Sequence, residues 1–261
     1  MSIKMLCFDL DGTLAESKQS LSEEMGALLA RATESHYISI ITGAAWPQIE
    51  KQVLPVLQKH CKNLNKVILC PTCATRTYAW DESANSFKEL YSLLLTDSQK
   101  ASIVATLNAA LEAEELLFPQ LWGPQVEDRG TQITFSALGQ QAPLEEKMAW
   151  DPDFSKRQRI KSRMEPFLAD FSIRLGGTTS IDITLAGIDK AFGIRKLSEL
   201  CSISEDSILF FGDALFPGGN DFAVRSTSAN CVEVESPSDT LKKVSEYLDS
   251  GVFDSALRAE R

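Results

Sequence analysis

The feature that most constrains the fold is an alternation of strand and helix patterns that stops partway along the chain and later resumes. Apolar runs at residues 4–8, 37–41 and 67–70 predict short buried strands, and helical patterns follow the first two. The alternation returns after Gly187, with a helix predicted from Lys190 and another buried strand after it. This order is typical of a doubly wound, parallel α/β sheet with ligands at the carboxyl ends of its strands.

The interruption begins after Pro71 and has a different pattern. It contains a predicted hairpin, a helix that begins at the Thr96–Gln99 capping box, and further extended segments. We therefore predict a discontinuous core domain, residues 1–82 and 187–261, that carries an inserted α+β domain at residues 83–186.

Two further local predictions concern helices. Residues 45–57 carry the pattern of a single helix, which is expected to end near Pro55. Residues 136–153 are polar and are predicted to form a loop.

The charge of the chain limits the partners that it can bind. The 261 residues carry a formal net charge of −10 and the pI is about 4.8, so nucleic acid and anionic membrane surfaces would repel the protein. No apolar run approaches the roughly 18 residues of a membrane-spanning helix, and the single Lys with a very short apolar run before Asp9 is too little for a secretory signal. We expect a soluble cytoplasmic protein that binds any anionic substrate through local cations or a metal.

The six cysteines are scattered, which suits a reducing compartment. Cys70 and Cys73 have the spacing of a redox pair or of half a zinc site. A second such pair is absent from the sequence, and there are only two histidines. We interpret these cysteines as small residues at the end of a strand, and a redox role stays open.

Two aspartates directly follow the first predicted strand. Asp9 and Asp11 are two residues apart, and side chains alternate along a strand, so we expect both carboxylates on one side. A calcium-binding EF-hand loop would need an oxygen-bearing acid in place of Thr13, Gly in place of Leu14 and Glu in place of Ser20. The spacing therefore argues against a calcium loop. The pair is therefore a candidate for chemistry on a substrate.

Other polar residues fall at corresponding places along the predicted sheet. Thr42 follows the second strand, Lys190 begins a helix, and Asp213 and Asn220–Asp221 lie in the Gly-rich loop after a later strand. Each alone has a structural explanation as a helix cap or a surface charge. Their common position at the carboxyl edge of one parallel sheet favours a functional site.

The segments DLDGTL, ITGA, GIDKAFGI and FGDALFPGGND resemble, in this order, the haloacid dehalogenase superfamily of phosphotransferases, and the resemblance covers the whole chain. The inserted domain corresponds to the large α+β cap of one type in that superfamily. The resemblance implies that Asp9 attacks phosphorus and becomes an aspartyl-phosphate. It also implies that Asp11 protonates the leaving oxygen and later takes a proton from the acceptor.

The resemblance further implies a magnesium ion. Mg²⁺ would be bound by the Asp9 carboxylate, the Asp11 carbonyl and Asp213, with Asn220 and Asp221 holding its waters or neighbours. Two other residues would bind the phosphoryl group: Thr42 by a hydrogen bond and Lys190 by its charge.

The cap and the last segment resemble those of the eukaryotic-type phosphomannomutases. Ser180 and Asp182 lie in the segment with which these enzymes bind sugar hydroxyls and phosphate. Arg129, Gln140 and Lys147 have the spacing of three cap arginines in that family, yet only the first is Arg here. Arg holds phosphate through a planar pair of donors, whereas Gln is neutral and Lys is a point charge. Binding of a second phosphate in the cap is therefore expected to be weaker.

The predicted function is a Mg²⁺-dependent phosphatase that acts on a sugar phosphate. At the position where the mutases have Gly-Gly-Ser, this chain has Thr42-Gly43-Ala44. This segment more closely resembles the sugar-phosphate phosphatases with the same type of cap. A phosphomannomutase-type hexose-phosphate mutase is the main alternative, and a catalytically silent sugar-phosphate binding module is a minor one. By analogy with the mutases, we expect a homodimer that forms through the cap.

Overall fold

The computed structural model describes residues 2–116, 118 and 120–253. The chain forms two compact units: Met1–Ser92 with Asp189–Arg261, and Leu93–Ile188. The first boundary thus falls after Ser92 and not after Glu82 as predicted, because the strand that follows Glu82 pairs with the core sheet. The second boundary falls after Ile188 and not after residue 186. Residues 254–261 of the predicted core range lie outside the described residues.

The strands are numbered in chain order. They are β1 (Met5–Phe8), β2 (Tyr37–Ile41), β3 (Val67–Cys70), β4 (Arg76–Asp81), β5 (Ser86–Ser92), β6 (Val126–Asp128), β7 (Gln132–Ser136), β8 (Phe171–Gly176), β9 (Ser180–Leu185), β10 (Ile208–Gly212) and β11 (Asn230–Glu233). The main helices span Glu23–Ala32, Trp46–Gln52, Leu54–His60, Asp97–Ala113, Leu144–Trp150, Ser155–Met164, Lys190–Cys201 and Pro237–Ser250.

The first unit is built on a sheet with the strand order β11-β10-β1-β2-β3-β4-β5. The five strands from β11 to β3 are parallel, and β4 and β5 add an antiparallel hairpin at one edge. Side chains alternate along β1: Leu6 and Phe8 enter one apolar cluster, and Met5 and Cys7 enter the cluster on the other face. Both faces are covered by helices, so the predicted doubly wound α/β fold is confirmed.

The second unit is an antiparallel sheet with the order β6-β7-β9-β8. One face carries Ile133, Phe135, Ile181 and Ile183, which pack with apolar residues of the helices Asp97–Ala113 and Ser155–Met164. Polar residues of β7 and β9 alternate with these apolar ones and therefore lie on the opposite face. This arrangement is the predicted α+β cap.

Two local predictions were wrong. The single helix predicted over residues 45–57 is divided at Val53, where Pro55 follows at the start of the helix Leu54–His60. Pro lacks an N–H group and is accepted in the first turn of a helix but not in its interior. The loop predicted over residues 136–153 contains the helix Leu144–Trp150, which has acidic residues in its first turn.

No helix in the described part of the chain has both the length and the apolar character needed to cross a bilayer. Cys7, Cys61, Cys70, Cys201 and Cys231 form no disulfide bond within the described residues. Cys70 is fully buried at the end of β3, and burial raises the pKa of its thiol to about 12. A thiol with a raised pKa is a poor nucleophile, so the Cys70 environment favours packing over redox chemistry.

Close helix packing at Gly26 gives a test of the core. A Cβ atom at this position would overlap Val56 Cγ1 and lie 2.9 Å from His60 Cδ2. We predict that Gly26→Ala lowers the free energy of unfolding by about 1–3 kcal/mol, because overpacking outweighs the helix preference for Ala. Urea denaturation measures this change.

The neighbouring exposed residue Ala27 supplies a matched control. Ala27→Gly should also destabilise, by about 1 kcal/mol, through helix propensity alone. A Gly26→Ala protein that is more stable than the wild type would contradict the described packing.

Candidate active site

The first site residue, Asp9, directly follows β1. Its backbone N–H donates to the Phe211 carbonyl at 3.0 Å, which ties it to the end of the neighbouring strand β10. Beyond Asp9 the chain turns, and the Leu10 carbonyl accepts hydrogen bonds from Leu14 N at 2.9 Å and Ala15 N at 3.0 Å. The Asp9 side chain is 5% exposed and is therefore almost completely removed from water.

The strand β1 ends at Phe8, so a turn, and not the strand alternation on which the prediction relied, orients Asp11. The Asp11 carboxylate accepts hydrogen bonds from Lys18 N at 2.7 Å and from Gln48 Nε2 at 3.2 Å. These two donors hold the carboxylate in a defined orientation while it stays partly accessible.

Lys190 is the first residue of the helix Lys190–Cys201, whose N-cap Asp189 accepts a hydrogen bond from Phe192 N at 2.9 Å. The Lys190 side chain is 1% exposed. A cation at a helix N-terminus is disfavoured by the helix dipole, and burial disfavours it further. Lys190 therefore depends on nearby carboxylates.

Two carboxylates meet that need. Lys190 Nζ lies 2.5 Å from Asp9 Oδ1 and also forms an ion pair with Asp221 Oδ1. Burial alone would lower the pKa of Lys190, but Asp9 and Asp221 reverse this effect and raise the pKa above its ordinary value. Burial raises the pKa of Asp9 to about 7; Lys190 opposes this shift and Asp221 adds to it.

Thr13 connects the loop after β1 to the loop after β10. Its hydroxyl donates to Asp213 Oδ1 at 3.1 Å and accepts from Asp213 N at 3.1 Å. A Cβ at Gly12 would lie 2.6 Å from Asp213 Oδ2, and one at Gly212 would lie 2.5 Å from Asp221 Oδ2. Both glycines are thus required for the backbone to approach the two carboxylates.

The carboxylates of Asp9, Asp213 and Asp221 form a group whose candidate ligand oxygens all lie within 4.8 Å of one another. Lys190 supplies one positive charge against these three acids. The donor set consists of hard oxygens with excess negative charge, so it fits Mg²⁺. The side chain of Asn220 is exposed and adjoins this group in sequence.

Thr42 follows β2 at the same edge of the sheet and is 2% exposed. Its backbone N–H donates to the Cys70 carbonyl at 3.1 Å, and its Oγ1 accepts from Ala44 N at 3.0 Å. The hydroxyl is thus used as an acceptor within the loop, and its proton can be donated to a phosphoryl oxygen.

The three cap positions singled out by their spacing have different surroundings. Arg129 pairs with Glu127 at 2.8 Å, and Lys147 Nζ donates to the Gln140 carbonyl at 3.1 Å. Within the described residues, Arg129 Nε and Gln140 Nε2 are buried donors without a hydrogen-bond partner. Buried donors are normally satisfied, so these two are candidates for binding an acceptor on a ligand.

Ser180 and Asp182 lie on β9, on the polar face of the cap sheet. Asp182 Oδ1 accepts hydrogen bonds at 2.7 Å from both Gln132 Nε2 and Thr134 Oγ1, and Ser180 Oγ lies 3.2 Å from Ser136 Oγ. Burial raises the pKa of the Asp182 carboxyl, while the Thr134 hydrogen bond opposes the shift. The network fixes the rotamer of Asp182.

The structure thus brings Asp9, Lys190, Asp213 and Asp221 into one cluster. The roles of all twelve candidate residues stay predictions.

The contacts of Thr13, Gln132 and Thr134 were not predicted from the sequence. Thr13 directly follows Asp-Gly in the first segment, and Gln132 and Thr134 alternate with apolar residues along β7, so these patterns were available as signals.

Comparisons with solved structures establish the fold class. A haloacid dehalogenase-like hydrolase from Bacteroides thetaiotaomicron aligns with a TM-score of 0.65 and 12% identity, covering 94% of this chain and 99% of that one. A Plasmodium falciparum IMP-nucleotidase, truncated at its N-terminus and bound to IMP, aligns with a TM-score of 0.65 and 18% identity, covering 94% and 68%. The chain has the fold of the haloacid dehalogenase superfamily.

Sequence comparison defines the family within that class. The family model for eukaryotic phosphomannomutase matches residues 26–250, so the chain belongs to the eukaryotic phosphomannomutase family. A probable phosphomannomutase of Caenorhabditis elegans is 29% identical over 258 residues, which cover 94% of this chain and 95% of the relative. The chain is an enzyme of the haloacid dehalogenase superfamily with phosphomannomutase homologues.

The Thr13 contacts lead to a prediction about metal binding. Thr13→Val removes the hydroxyl that orients Asp213 and leaves the Asp213 N–H without its partner, so we expect the Mg²⁺ affinity to fall about 10- to 100-fold. Isothermal titration calorimetry with Mg²⁺ measures the effect. Thr13→Ser keeps the hydroxyl and should bind Mg²⁺ nearly as well as the wild type. Equal affinities for the Val variant and the wild type would show that Thr13 does not orient Asp213.

Proposed function

We propose that this protein is a Mg²⁺-dependent phosphohydrolase that acts on a hexose phosphate through an aspartyl-phosphate on Asp9. The observation that carries the proposal is the cluster in which the buried Lys190 lies between Asp9 and Asp221, while a carboxylate oxygen of Asp213 lies within 4.8 Å of oxygens of both aspartates. The cluster combines a nucleophile, a fixed positive charge and a set of metal ligands, which transfer of a phosphoryl group requires. Relatives that are named phosphomannomutases support a hexose phosphate as the substrate class.

We assign each proposed step to a residue. An Asp9 carboxylate oxygen forms a bond to phosphorus as the phosphorus–oxygen ester bond breaks, and Asp11 gives its proton to the leaving sugar oxygen. A water molecule then attacks phosphorus, loses its proton to Asp11, and releases phosphate and the free Asp9 carboxylate. The Thr42 hydroxyl donates to a phosphoryl oxygen, and Lys190 offsets the phosphoryl charge.

Asp9, Asp213 and Asp221 would hold Mg²⁺, with the Asp11 carbonyl and Asn220 nearby in sequence. When bound, the ion would neutralise negative charge on the phosphoryl group.

The cap residues favour water over a sugar hydroxyl as the acceptor. A mutase has to hold a second phosphate while the first reacts, and here Gln140 is neutral, Lys147 is a point charge, and Arg129 is already paired with Glu127. Loss of one charge-assisted contact costs about 1.5–3 kcal/mol, which is about one to two powers of ten in affinity. Weak retention of a sugar bisphosphate would allow water to discharge the aspartyl-phosphate.

A hexose-phosphate mutase is the second candidate, and family membership favours it. The two reactions share Asp9, Asp11, Lys190 and the metal ligands, and they differ only in whether water or a sugar hydroxyl receives the phosphoryl group. The buried, unpartnered donors of Arg129 and Gln140 would be the remaining contacts for a second phosphate. We further propose a cytoplasmic location, which the buried thiols of Cys7, Cys61 and Cys70 support, and cap-mediated dimers by analogy with the mutases.

The products distinguish the two reactions. With mannose 1-phosphate or mannose 6-phosphate and Mg²⁺, we predict release of free phosphate as the main reaction, and loss of turnover when a chelator removes the metal. Accumulation of isomerised sugar phosphate, especially with added hexose bisphosphate, would replace the phosphatase by the mutase.

A double variant makes this assay sharper. Gln140→Arg with Lys147→Arg should bind a hexose bisphosphate about 10- to 100-fold more tightly and should raise the share of isomerised product, if weak cap binding favours hydrolysis.

A further inference from the structure

The cap contains an arginine that none of the proposed chemistry uses. Arg157, in the helix Ser155–Met164, is completely buried, as is unusual for Arg unless it is paired. Its Nε donates to Asp151 Oδ2 at 2.7 Å, and the Asp151 side chain is also fully buried. This ion pair neutralises the guanidinium and fixes its orientation in the cap.

The other end of the guanidinium is directed at backbone. Arg157 Nη1 donates to the carbonyls of Gly176 at 3.0 Å and Gly177 at 2.9 Å, and it lies 3.4 Å from the Ser180 carbonyl. These carbonyls belong to the last residue of β8, to the turn that follows it and to the first residue of β9. One side chain therefore ties a helix to the start of the strand that carries Ser180 and Asp182.

The same turn adjoins the carboxylate of Asp182. A Cβ at Gly176 would lie 2.6 Å from Asp182 Oδ2, so the Gly176 backbone packs closely beside that oxygen. Gly176 is also paired with Ser180 in the β8–β9 register. A displacement of the turn would move both the Ser180 backbone and the surface beside Asp182 Oδ2.

Stability alone is a weak explanation for this arrangement. A buried ion pair often contributes no more net stability than apolar residues of the same volume. In addition, Arg157 Nη2 is buried and has no hydrogen-bond partner within the described residues, and an unsatisfied buried donor costs free energy. What the guanidinium supplies, and an apolar side chain would not, is a fixed position for three carbonyl groups.

We propose that Arg157 is a positioning residue that sets substrate recognition by holding the β8–β9 turn, and with it Ser180 and Asp182, in the geometry that binds the sugar phosphate. The inference rests on the proposed function, because it assigns Ser180 and Asp182 to the sugar-phosphate substrate. Arg157 acts through these residues and does not touch the reacting atoms. Lys has one ammonium in place of a planar fork, so it does not reproduce the contacts to both Asp151 and the turn.

The test compares two substrates in Arg157→Lys. For a hexose phosphate, KM should rise about 10-fold or more, with a smaller change in kcat. For p-nitrophenyl phosphate, which has no sugar hydroxyls, kcat and KM should stay within about two-fold of the wild type, because the Asp9 cluster is intact.

Arg159→Lys is the matched control, since Arg159 lies on the same helix and pairs with Glu114 at the surface. It should leave both substrates unchanged. Equal losses on the two substrates in Arg157→Lys, or no loss on the hexose phosphate, would overturn the inference.

Circular dichroism and thermal melting show whether Arg157→Lys is folded. A second variant tests the inference independently of that substitution. Asp151→Asn keeps the guanidinium but weakens the hydrogen bond that orients it, and it should raise KM for the hexose phosphate about three-fold or more without affecting p-nitrophenyl phosphate. If the wild type converts no hexose phosphate at all, the proposed function fails and this inference with it. If the wild type is active and both cap variants match Arg159→Lys, only the inference fails.

Discussion

The active centre depends on one buried ammonium group. Lys190 is 1% exposed, lies at the positive end of a helix, and contacts the carboxylates of Asp9 and Asp221. Removal of the Lys190 charge would leave two carboxylates buried without a counter-charge, which is strongly destabilising. The cluster therefore links the stability of the core to the position of Asp9, because the ion pair with Lys190 both compensates the burial of the carboxylate and holds it in place.

The parallel sheet explains why residues so distant in sequence form this cluster. The strands β1 and β10 are hydrogen-bonded neighbours, so the loops after Phe8 and after Gly212 emerge side by side. Thr13 and Asp213 exchange two hydrogen bonds between those loops, and Gly12 and Gly212 leave room for the carboxylates. The cap is organised differently: an antiparallel sheet presents Asp182 within a hydrogen-bond network, and Arg157 holds the adjoining turn.

Much of this arrangement follows from the sequence. Periodicity and strand order placed Asp9, Thr42, Lys190 and Asp213 at one edge of a parallel sheet, because that edge is fixed by chain direction alone. The orientation of Asp11 was not accessible in this way, since it depends on a turn and not on strand alternation.

The boundary of the cap and the contacts of Arg157 were also beyond sequence reasoning. Ser86–Ser92 pairs with β4 in the core sheet, and that pairing depends on tertiary contacts that local propensity does not contain. Arg157 lies in a segment rich in Lys and Arg, and sequence alone favours a solvated face there, whereas the structure buries this one arginine against Asp151.

Rapid acid quenching of the enzyme during turnover of a hexose phosphate with Mg²⁺, followed by peptide mass spectrometry, tests directly whether Asp9 becomes phosphorylated. We predict a phosphoryl group on the peptide that contains Asp9, and its absence in Asp9→Asn. Phosphorylation at another residue, or turnover by Asp9→Asn at a rate near that of the wild type, would contradict this prediction.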